Sequence, residues 1–378
     1  MNSSWPRVLV APLNWGLGHA TRCIPIINWL LEQNCQVIIG VNGRSGKLLQ
    51  QEFPDLPFVE TPGTEVRYSQ NKALLLLLLL WQMPSLLKQI RDEKKWLATQ
   101  IAQWKLNAVI ADNRYGLNHP GISSVLITHQ LLIKTGQGIW VDRLLQQIVY
   151  RLVKKFDELW VPDHKGNWAL AGELSNPIQL PATTIRYTGI LNRFNRSISA
   201  GTPATHILLL ISGPEPQREI FEALIVRSLS NYTGSFTLVK GRPEIFQGST
   251  GDTGDLLRLL YGKSSGSVHE HLNSEDLLAE IEKASLIICR SGYTSLMELL
   301  PLQKKLVCVP TPGQPEQEYL ASYCQQKGWA PLLAQKHFSI KNAIVMAEHF
   351  SYHPYTPPSL TLQQTLGPWL KTIQGKNN

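Results

Sequence analysis

Apolar residues in this chain fall into short unbroken runs separated by longer stretches in which they recur every three or four positions. The runs Arg7–Ala11, Gln36–Val41, Phe58–Glu60, Ala108–Ala111, Ser124–Thr128 and Glu158–Val161 predict strands buried on both faces. Between them, Ala20–Glu32 and Val141–Phe156 carry helical periodicity. Ile185–Ile190 closes this half, and the polar stretch Asn192–Thr202 reads as a linker. The pattern then restarts. His206–Ser212, Phe236–Lys240, Val268–Leu272, Ser285–Cys289 and Leu306–Val309 read as strands. Helices are predicted over Arg218–Leu229, Ser274–Lys283 and Thr294–Leu300, with another opening near Glu316 and a last one over Ser359–Lys371. Thr294 or Ser295 is the expected N-cap of its helix, and Pro301 its end. The segment 246–267, rich in Gly, Ser and Thr, reads as a loop with a short helix near Leu256–Leu260. Strand and helix in alternation predict two doubly wound parallel sheets. The expected domains are residues 1–197 and 198–378, with the last helix able to pack back on the first.

One segment does not fit the alternation. Leu74–Leu80 are seven consecutive leucines, followed by Trp81 and Met83 and interrupted at Pro84. The run is shorter than the ~18 apolar residues of a membrane span. It is either a core helix or an apolar patch, flanked by Lys72 and Lys88, that rests on a membrane surface.

Composition narrows the class. At 43% apolar and 17% charged, the 378 residues describe a globular protein rather than a disordered one. No basic region followed by an apolar core opens the chain, so no signal peptide is expected. Cys23, Cys35, Cys289, Cys308 and Cys324 are scattered without a CxxC pair. They predict buried, reduced thiols and a cytoplasmic setting, with neither a disulfide framework nor a metal site. The net charge of +8 is uneven: residues 1–197 hold 21 Lys+Arg and 13 Asp+Glu, leaving 15 of each (36 less 21, 28 less 13) for the rest. The first half therefore favours an anionic partner such as acidic lipid headgroups, a phosphorylated lipid or nucleic acid, or else simply carries a solvated basic face.

Candidate chemistry collects at the strand ends. His19 stands on the loop after the first strand, where Gly16 and Gly18 leave the backbone open. A neutral His there is suited to general-base work, or else caps the helix. Gly16-Leu17-Gly18 is no dinucleotide fingerprint, because Thr21 replaces the third Gly and no acidic residue ends the second strand. No GxxxxGK[ST] and no DxD occur. In the second half Ser212-Gly213 and Arg290-Ser291-Gly292 each follow a strand, offering N–H groups to an anion or forming ordinary tight turns. Glu298 is placed to accept both hydroxyls of a ribose, or is a solvated helix carboxylate.

R-x-G at Arg290 and Gly292, Glu298-Leu299, Pro310 and Gln317 together resemble the donor-site signature of GT-B glycosyltransferases. The pattern is most similar to family 28, which includes the bacterial peptidoglycan N-acetylglucosaminyltransferase. Gly16, Gly18, His19 and Pro25 resemble that family's N-terminal Gly-rich loop, and Thr128-His129-Gln130 its acceptor-facing segment. The resemblance implies two Rossmann-like domains facing a cleft, and an inverting, metal-independent transfer of a hexosyl or N-acetylhexosaminyl group from a UDP-sugar. It assigns donor contacts to Ser212, Gly213, Arg290, Ser291, Gly292, Tyr293, Thr294, Glu298, Gln314 and Gln317, with Glu298 on the ribose and Gln317 on the sugar. It assigns the base to His19 and the acceptor side to Gly16, Gly18, Asp112, Arg114, His129 and Gln130. Pro214-Glu215-Pro216 departs from the family's run of small residues at the diphosphate turn. No cofactor and no nucleic acid are implied. A lipid-linked or envelope-glycan acceptor is, with peripheral contact at the inner face of the membrane. Gly18-His19 with Arg22-Cys23 also resembles UDP-sugar hydrolases of pseudaminic acid synthesis, so hydrolysis or epimerisation is the alternative reaction, and nucleotide-sugar binding without catalysis a third reading.

Overall fold

A computed structural model of the chain describes residues 5–14, 16–63, 72–194, 206–213, 215–242 and 265–375, without the side chains of 72–83 and 265. Two compact units result: Met1–Arg193 with Pro357–Asn378, and Phe194–Thr356.

Unit 1 contains β1 (Arg7–Pro12), α1 (Leu17–Glu32), β2 (Gln36–Val41), α2 (Gly43–Glu52), β3 (Phe58–Glu60), α3 (Lys72–Trp104), β4 (Ala108–Asp112), β5 (Ser123–Ile127), α4 (Ile139–Val153), β6 (Glu158–Val161) and β7 (Thr184–Tyr187). The strands form one seven-stranded sheet in the order β3-β2-β1-β4-β5-β6-β7. Every pairing in it is parallel. Leu9, Val109, Leu126 and Leu159 from neighbouring strands share a core with Leu97 of α3 and Val153 of α4. The aliphatic runs of β1, β4 and β5 are buried along their length because helices cover both faces of a parallel sheet.

Unit 2 contains β8 (His206–Leu210), α5 (Gln217–Leu229), β9 (Ser235–Val239), β10 (Ser265–His269), α6 (Ser274–Lys283), β11 (Leu286–Cys289), α7 (Tyr293–Leu299), β12 (Leu306–Cys308), α8 (Pro315–Gln326) and α9 (Ile340–His349). Its five strands run in the order β10-β9-β8-β11-β12, again all parallel. The core joins Ile207, Leu209, Phe236, Ile288 and Val307 of the sheet to Phe221 and Ile225 of α5. After α9 the chain re-enters unit 1, where α10 (Leu362–Gly375) buries Trp369 edge-on against Trp160, ring centroids 5.0 Å apart, while Trp369 Nε1 donates to Ser123 Oγ at 2.9 Å.

The two parallel-sheet α/β units bear out the expected fold class. Local readings needed four corrections. Helix α2 had not been anticipated; Ser45 N donates to Asn14 Oδ1 at 3.3 Å and supplies the helix start with a partner from another loop. Strand β10 begins three residues before the expected Val268, because pairing with β9 overrides the low strand propensity of Gly266 and Ser267. Gly292, not Thr294 or Ser295, is the N-cap of α7, and no side chain caps that helix. Helix α9 had not been anticipated; Ser339 caps it by accepting from Asn342 N at 3.1 Å. The loop at 246–267 lies almost wholly outside the described residues, as does most of the linker. Helix α3 runs through Pro84, the side chains of Leu74–Leu80 lie outside the described residues, and no described helix is long and apolar enough to cross a membrane. All five cysteines are free and buried.

Candidate active site

In an open α/β sheet the strand order reverses at one point, and ligands bind beside it, beyond the carboxyl ends of the strands. In unit 1 that point lies between β1 and β4, in unit 2 between β8 and β11. The residues singled out from the sequence stand on these two edges.

In unit 1, Pro12 at the end of β1 pairs with Asp112 at the end of β4. The loop that follows β1 reaches α1, whose N-cap Gly16 holds φ +82°, a left-handed conformation that disfavours any side chain. His19 lies in the first turn of α1, and its Nδ1 is 2.9 Å from Asp112 Oδ1. Gly18 contributes its carbonyl, which accepts from Thr21 Oγ1 at 3.2 Å. Asp112 is fully buried, which alone would raise its pKa. The Arg22 guanidinium and His19 outweigh burial and hold the carboxyl at about 2, so it is ionised at every working pH. Arg22 Nε and Nη2 both donate to this carboxylate, and Nη1 lies 3.1 Å from His129 Nδ1. His129 follows β5, and the amide of Gln130 donates to Thr128 Oγ1 at 3.1 Å. Asp112, His19 and His129 are thus gathered around one buried arginine. Arg114 is not part of that group. It is 1% exposed, pairs with Glu93 of α3 at 3.1 Å and donates to the Pro62 carbonyl.

His19 Nδ1 is held between Asp112 Oδ1, which can only accept, and Arg22 Nη2 at 2.7 Å, which can only donate. This is the arrangement of a histidine base oriented by an acid.

In unit 2, Ser212 and Gly213 continue from β8. Gly213 holds φ +106° with open space where a Cβ would stand, so the turn needs glycine and bares its backbone. The next turn departs from a bare phosphate cradle. Glu215 pairs with Arg218 and accepts from Glu219 N at 3.2 Å, placing a carboxylate at the start of α5. Arg290, after β11, is 0% exposed. Its Nη1 donates to the carbonyls of Val309 and Pro310 at 3.1 and 3.3 Å, its Nη2 to that of Gln217 at 3.1 Å, and the guanidinium lies over the Phe221 ring at 4.1 Å. Burial lowers its pKa to about 9. Where the spacing suggests a cation for an anionic ligand, the structure shows a clamp that ties the loop after β12 to the start of α5.

Ser291 Oγ donates to the Gln317 carbonyl at 2.8 Å, and Gln317 Oε1 accepts from Thr311 N at 2.9 Å. Gln314 is the N-cap of α8, with its side-chain Oε1 buried and without a hydrogen-bond partner among the described residues. Tyr293 and Glu298 are buried on α7 and Thr294 is half-buried. Hydrogen bonds thus join Arg290 to the loop after β12, and Ser291 to Gln317 on α8. Among the described residues no group of three His, Cys, Asp or Glu is placed to hold a metal ion.

Arg22 entered the sequence reading only through the hydrolase resemblance and was assigned no role in the site. Its signal was present in the sequence: a cation three residues after His19, on a helix that is otherwise apolar at Cys23, Ile24, Ile26 and Ile27.

Comparison with known proteins bears on the fold and the family. Residues 262–357 match the family model for the glycosyltransferase family 28 C-terminal domain. An uncharacterized glycosyltransferase of Methanosarcina acetivorans is 21% identical over 347 residues, covering 87% of this chain and 86% of that protein. Another, from Methanopyrus kandleri, is 24% identical over 296 residues, 76% of this chain and 80% of that protein. Among solved structures, MurG of Acinetobacter baumannii superposes with a TM-score of 0.52 at 15% identity, covering 98% of this chain and 99% of its own. The spinosyn rhamnosyltransferase SpnG, complexed with thymidine diphosphate, gives 0.58 at 15% identity over 90% of this chain and 91% of its own. The chain therefore has the GT-B fold, and the resemblance to a GT-B glycosyltransferase of the family 28 kind, first read from Arg290 to Gln317, is borne out.

Proposed function

We propose that this protein is an inverting glycosyltransferase that moves a hexosyl or N-acetylhexosaminyl group from a UDP-sugar to an acceptor hydroxyl, without a metal. The observation that carries the proposal is the His19–Asp112 pair at the switch point of unit 1, in a chain whose unit 2 presents the donor signature at its own. His19 Nε2 takes the proton of the acceptor hydroxyl as that oxygen forms its bond to the anomeric carbon. The bond from that carbon to the diphosphate oxygen breaks, and UDP leaves with the electron pair. Asp112 keeps the imidazole oriented and stabilises the imidazolium. Glu298 binds the ribose hydroxyls, Gln314 and Gln317 the sugar, and Ser212-Gly213 and Ser291-Gly292 offer amides to the diphosphate. Arg290 holds those loops together. That SpnG is described with thymidine diphosphate supports a nucleotide-linked donor.

The acceptor is proposed to be lipid-linked or part of an envelope glycan, reached from the membrane surface. Support comes from α4, where Ile139, Trp140 and Leu144 stand 60%, 78% and 59% exposed beside Arg143, whose guanidinium lies 5.6 Å from the Trp140 ring centroid. A hydrolase reading draws on Arg22 and Cys23, which both reach Asp112. UDP-sugars incubated with and without a membrane lipid extract separate the two. Transfer requires the extract for fast UDP release, whereas stoichiometric release without it establishes hydrolysis.

A further inference from the structure

His129 and Gln130 stand between two backbone anchors. On one side Thr128 N donates to the Trp160 carbonyl at 3.1 Å, and on the other Leu131 N and Leu132 N both donate to the Leu174 carbonyl, at 2.7 and 3.0 Å. Gln146 of α4 donates to the Leu131 carbonyl at 3.3 Å, so that carbonyl has its own support while the two amides rest on Leu174. Leu174 closes the one-turn helix Gly172–Leu174 in the loop after β6. A single turn has little stability of its own. What holds it is Asp163, two residues beyond β6 and 0% exposed. Its Oδ1 accepts from His164 N and Leu170 N at 2.7 and 2.8 Å, and its Oδ2 from Ala171 N and Ser175 Oγ at 2.9 and 2.6 Å. Oδ2 therefore grips the chain on both sides of the turn, just before Gly172 and just after Leu174. Burial raises the pKa of Asp163 to about 6, so the carboxyl is ionised at neutral pH, and hydrogen bonds to an ionised acceptor are the stronger kind. Tyr187 Oη adds a donor to the Ser175 carbonyl at 3.0 Å. Lys134 and Glu173 also join the two loops, at 2.8 Å, but Glu173 is 66% exposed and such a pair contributes little.

We propose that Asp163 is a positioning residue for the acceptor side: through the Leu174 carbonyl it sets the backbone of the segment that carries His129 and Gln130. Being fully buried, it acts through that backbone rather than on the acceptor itself. It governs how well the acceptor binds and leaves the proton transfer in place, because His19 and Asp112 stand on other elements, α1 and β4. The effect on acceptor binding rests on the transfer reaction proposed above; the placement of the segment rests on the hydrogen bonds alone.

Asp163→Asn tests both. Asn matches the carboxylate in size but turns one acceptor into a donor, so a backbone N–H of residues 164–171 loses its partner. Hydrogen exchange of the full-length protein, read at single amides by nuclear magnetic resonance, should show Leu131 and Leu132 exchanging about tenfold faster in the variant, with the amides of unit 2 unchanged. UDP release from UDP-glucose or UDP-N-acetylglucosamine, followed against the amount of membrane lipid extract, should need several-fold more extract for half the maximal rate, while the maximal rate stays within about twofold. Wild-type protection of Leu131 and Leu132 in a folded Asp163→Asn protein would overturn the proposal. So would a lower maximal rate with an unchanged half-saturating amount, which is what a smaller fraction of folded protein produces. Ser175→Ala removes one donor and keeps the charge. If the Asn variant does not fold, the same two amides decide in Ser175→Ala, where faster exchange upholds the proposal and wild-type exchange overturns it. If the wild type releases no UDP with the extract, the transfer reaction fails, and the exchange result alone upholds or overturns the placement.

Discussion

At Asp112, burial and charge pull in opposite directions, and charge wins. The carboxyl stands at about 2 in the folded protein, against 3.8 for an exposed aspartate. A depressed pKa contributes stability that is complete above the unfolded value and is lost as pH falls through the folded one. The window here runs from about pH 4 down to about pH 2, and the contribution is about 2 kcal/mol. Acid titration of unfolding free energy should therefore fall across that window in the wild type and lose this component in Asp112→Asn. That variant is also expected to be less stable at neutral pH by about 3–5 kcal/mol, because Arg22 stays buried without its counter-charge. His19→Ala leaves the ion pair in place. We expect turnover to drop by roughly 10²–10⁴-fold, the usual range for a general base, with UDP affinity unchanged; steady-state rates beside calorimetry check both halves. At this scale the sequence was informative about residue types and less so about roles. His19 stood out from its place after the first strand, whereas Asp112 and His129 entered only through the family resemblance. Arg290 was legible as a motif but not as a clamp, because its partners Gln217, Val309 and Pro310 are far from it in sequence and only folding brings their carbonyls to it.

Elements were legible where a run had one stable solution. Gln36–Val41 and Ser274–Lys283 are found with the expected ends, the second because Asn273 accepts from Asp276 N at 2.8 Å and fixes the helix start. Helix α2 was hidden, since Gly43, Ser45 and Gly46 have turn propensity and the partner that stabilises the helix lies on another loop. Close packing between elements gives two tests. A Cβ on Gly116 would lie 2.5 Å from the Ile90 carbonyl and 2.6 Å from Glu93 Cβ, both on α3. Gly116→Ala should push α3 from the loop after β4 and disturb the Glu93–Arg114 pair, at a cost of about 1–3 kcal/mol by chemical denaturation. Trp369 is 1% exposed and carries the contact of α10 with the sheet of unit 1. Trp369→Ala should cost about 3–5 kcal/mol, seen as a lower midpoint for unfolding of that unit.

At the largest scale the chain holds two parallel sheets, each reversing its strand order at one point, where the proposed site residues stand. Alternation of buried strands and periodic helices was enough to read this, because a parallel sheet requires the crossover helices that produce the pattern. The re-entry of residues 357–378 into unit 1 was only weakly legible, since nothing local in that helix says which sheet Trp369 will meet. Charge belongs to this scale too. The excess of cations over residues 1–197, together with the exposed Ile139, Trp140 and Leu144, predicts sedimentation with anionic vesicles, weakened by salt. A variant with Trp140 and Leu144 changed to Ser should sediment several-fold less while its UDP affinity stays the same. The central claim is that unit 2 binds the donor nucleotide through Glu298, and calorimetric titration of UDP into wild type, Glu298→Ala and His19→Ala tests it most directly. The account predicts binding by the wild type, at least ~10-fold weaker binding by Glu298→Ala, a loss of about 1.4 kcal/mol or more, and wild-type affinity in His19→Ala. Absence of UDP binding by the wild type, or equal affinity in wild type and Glu298→Ala, would contradict it.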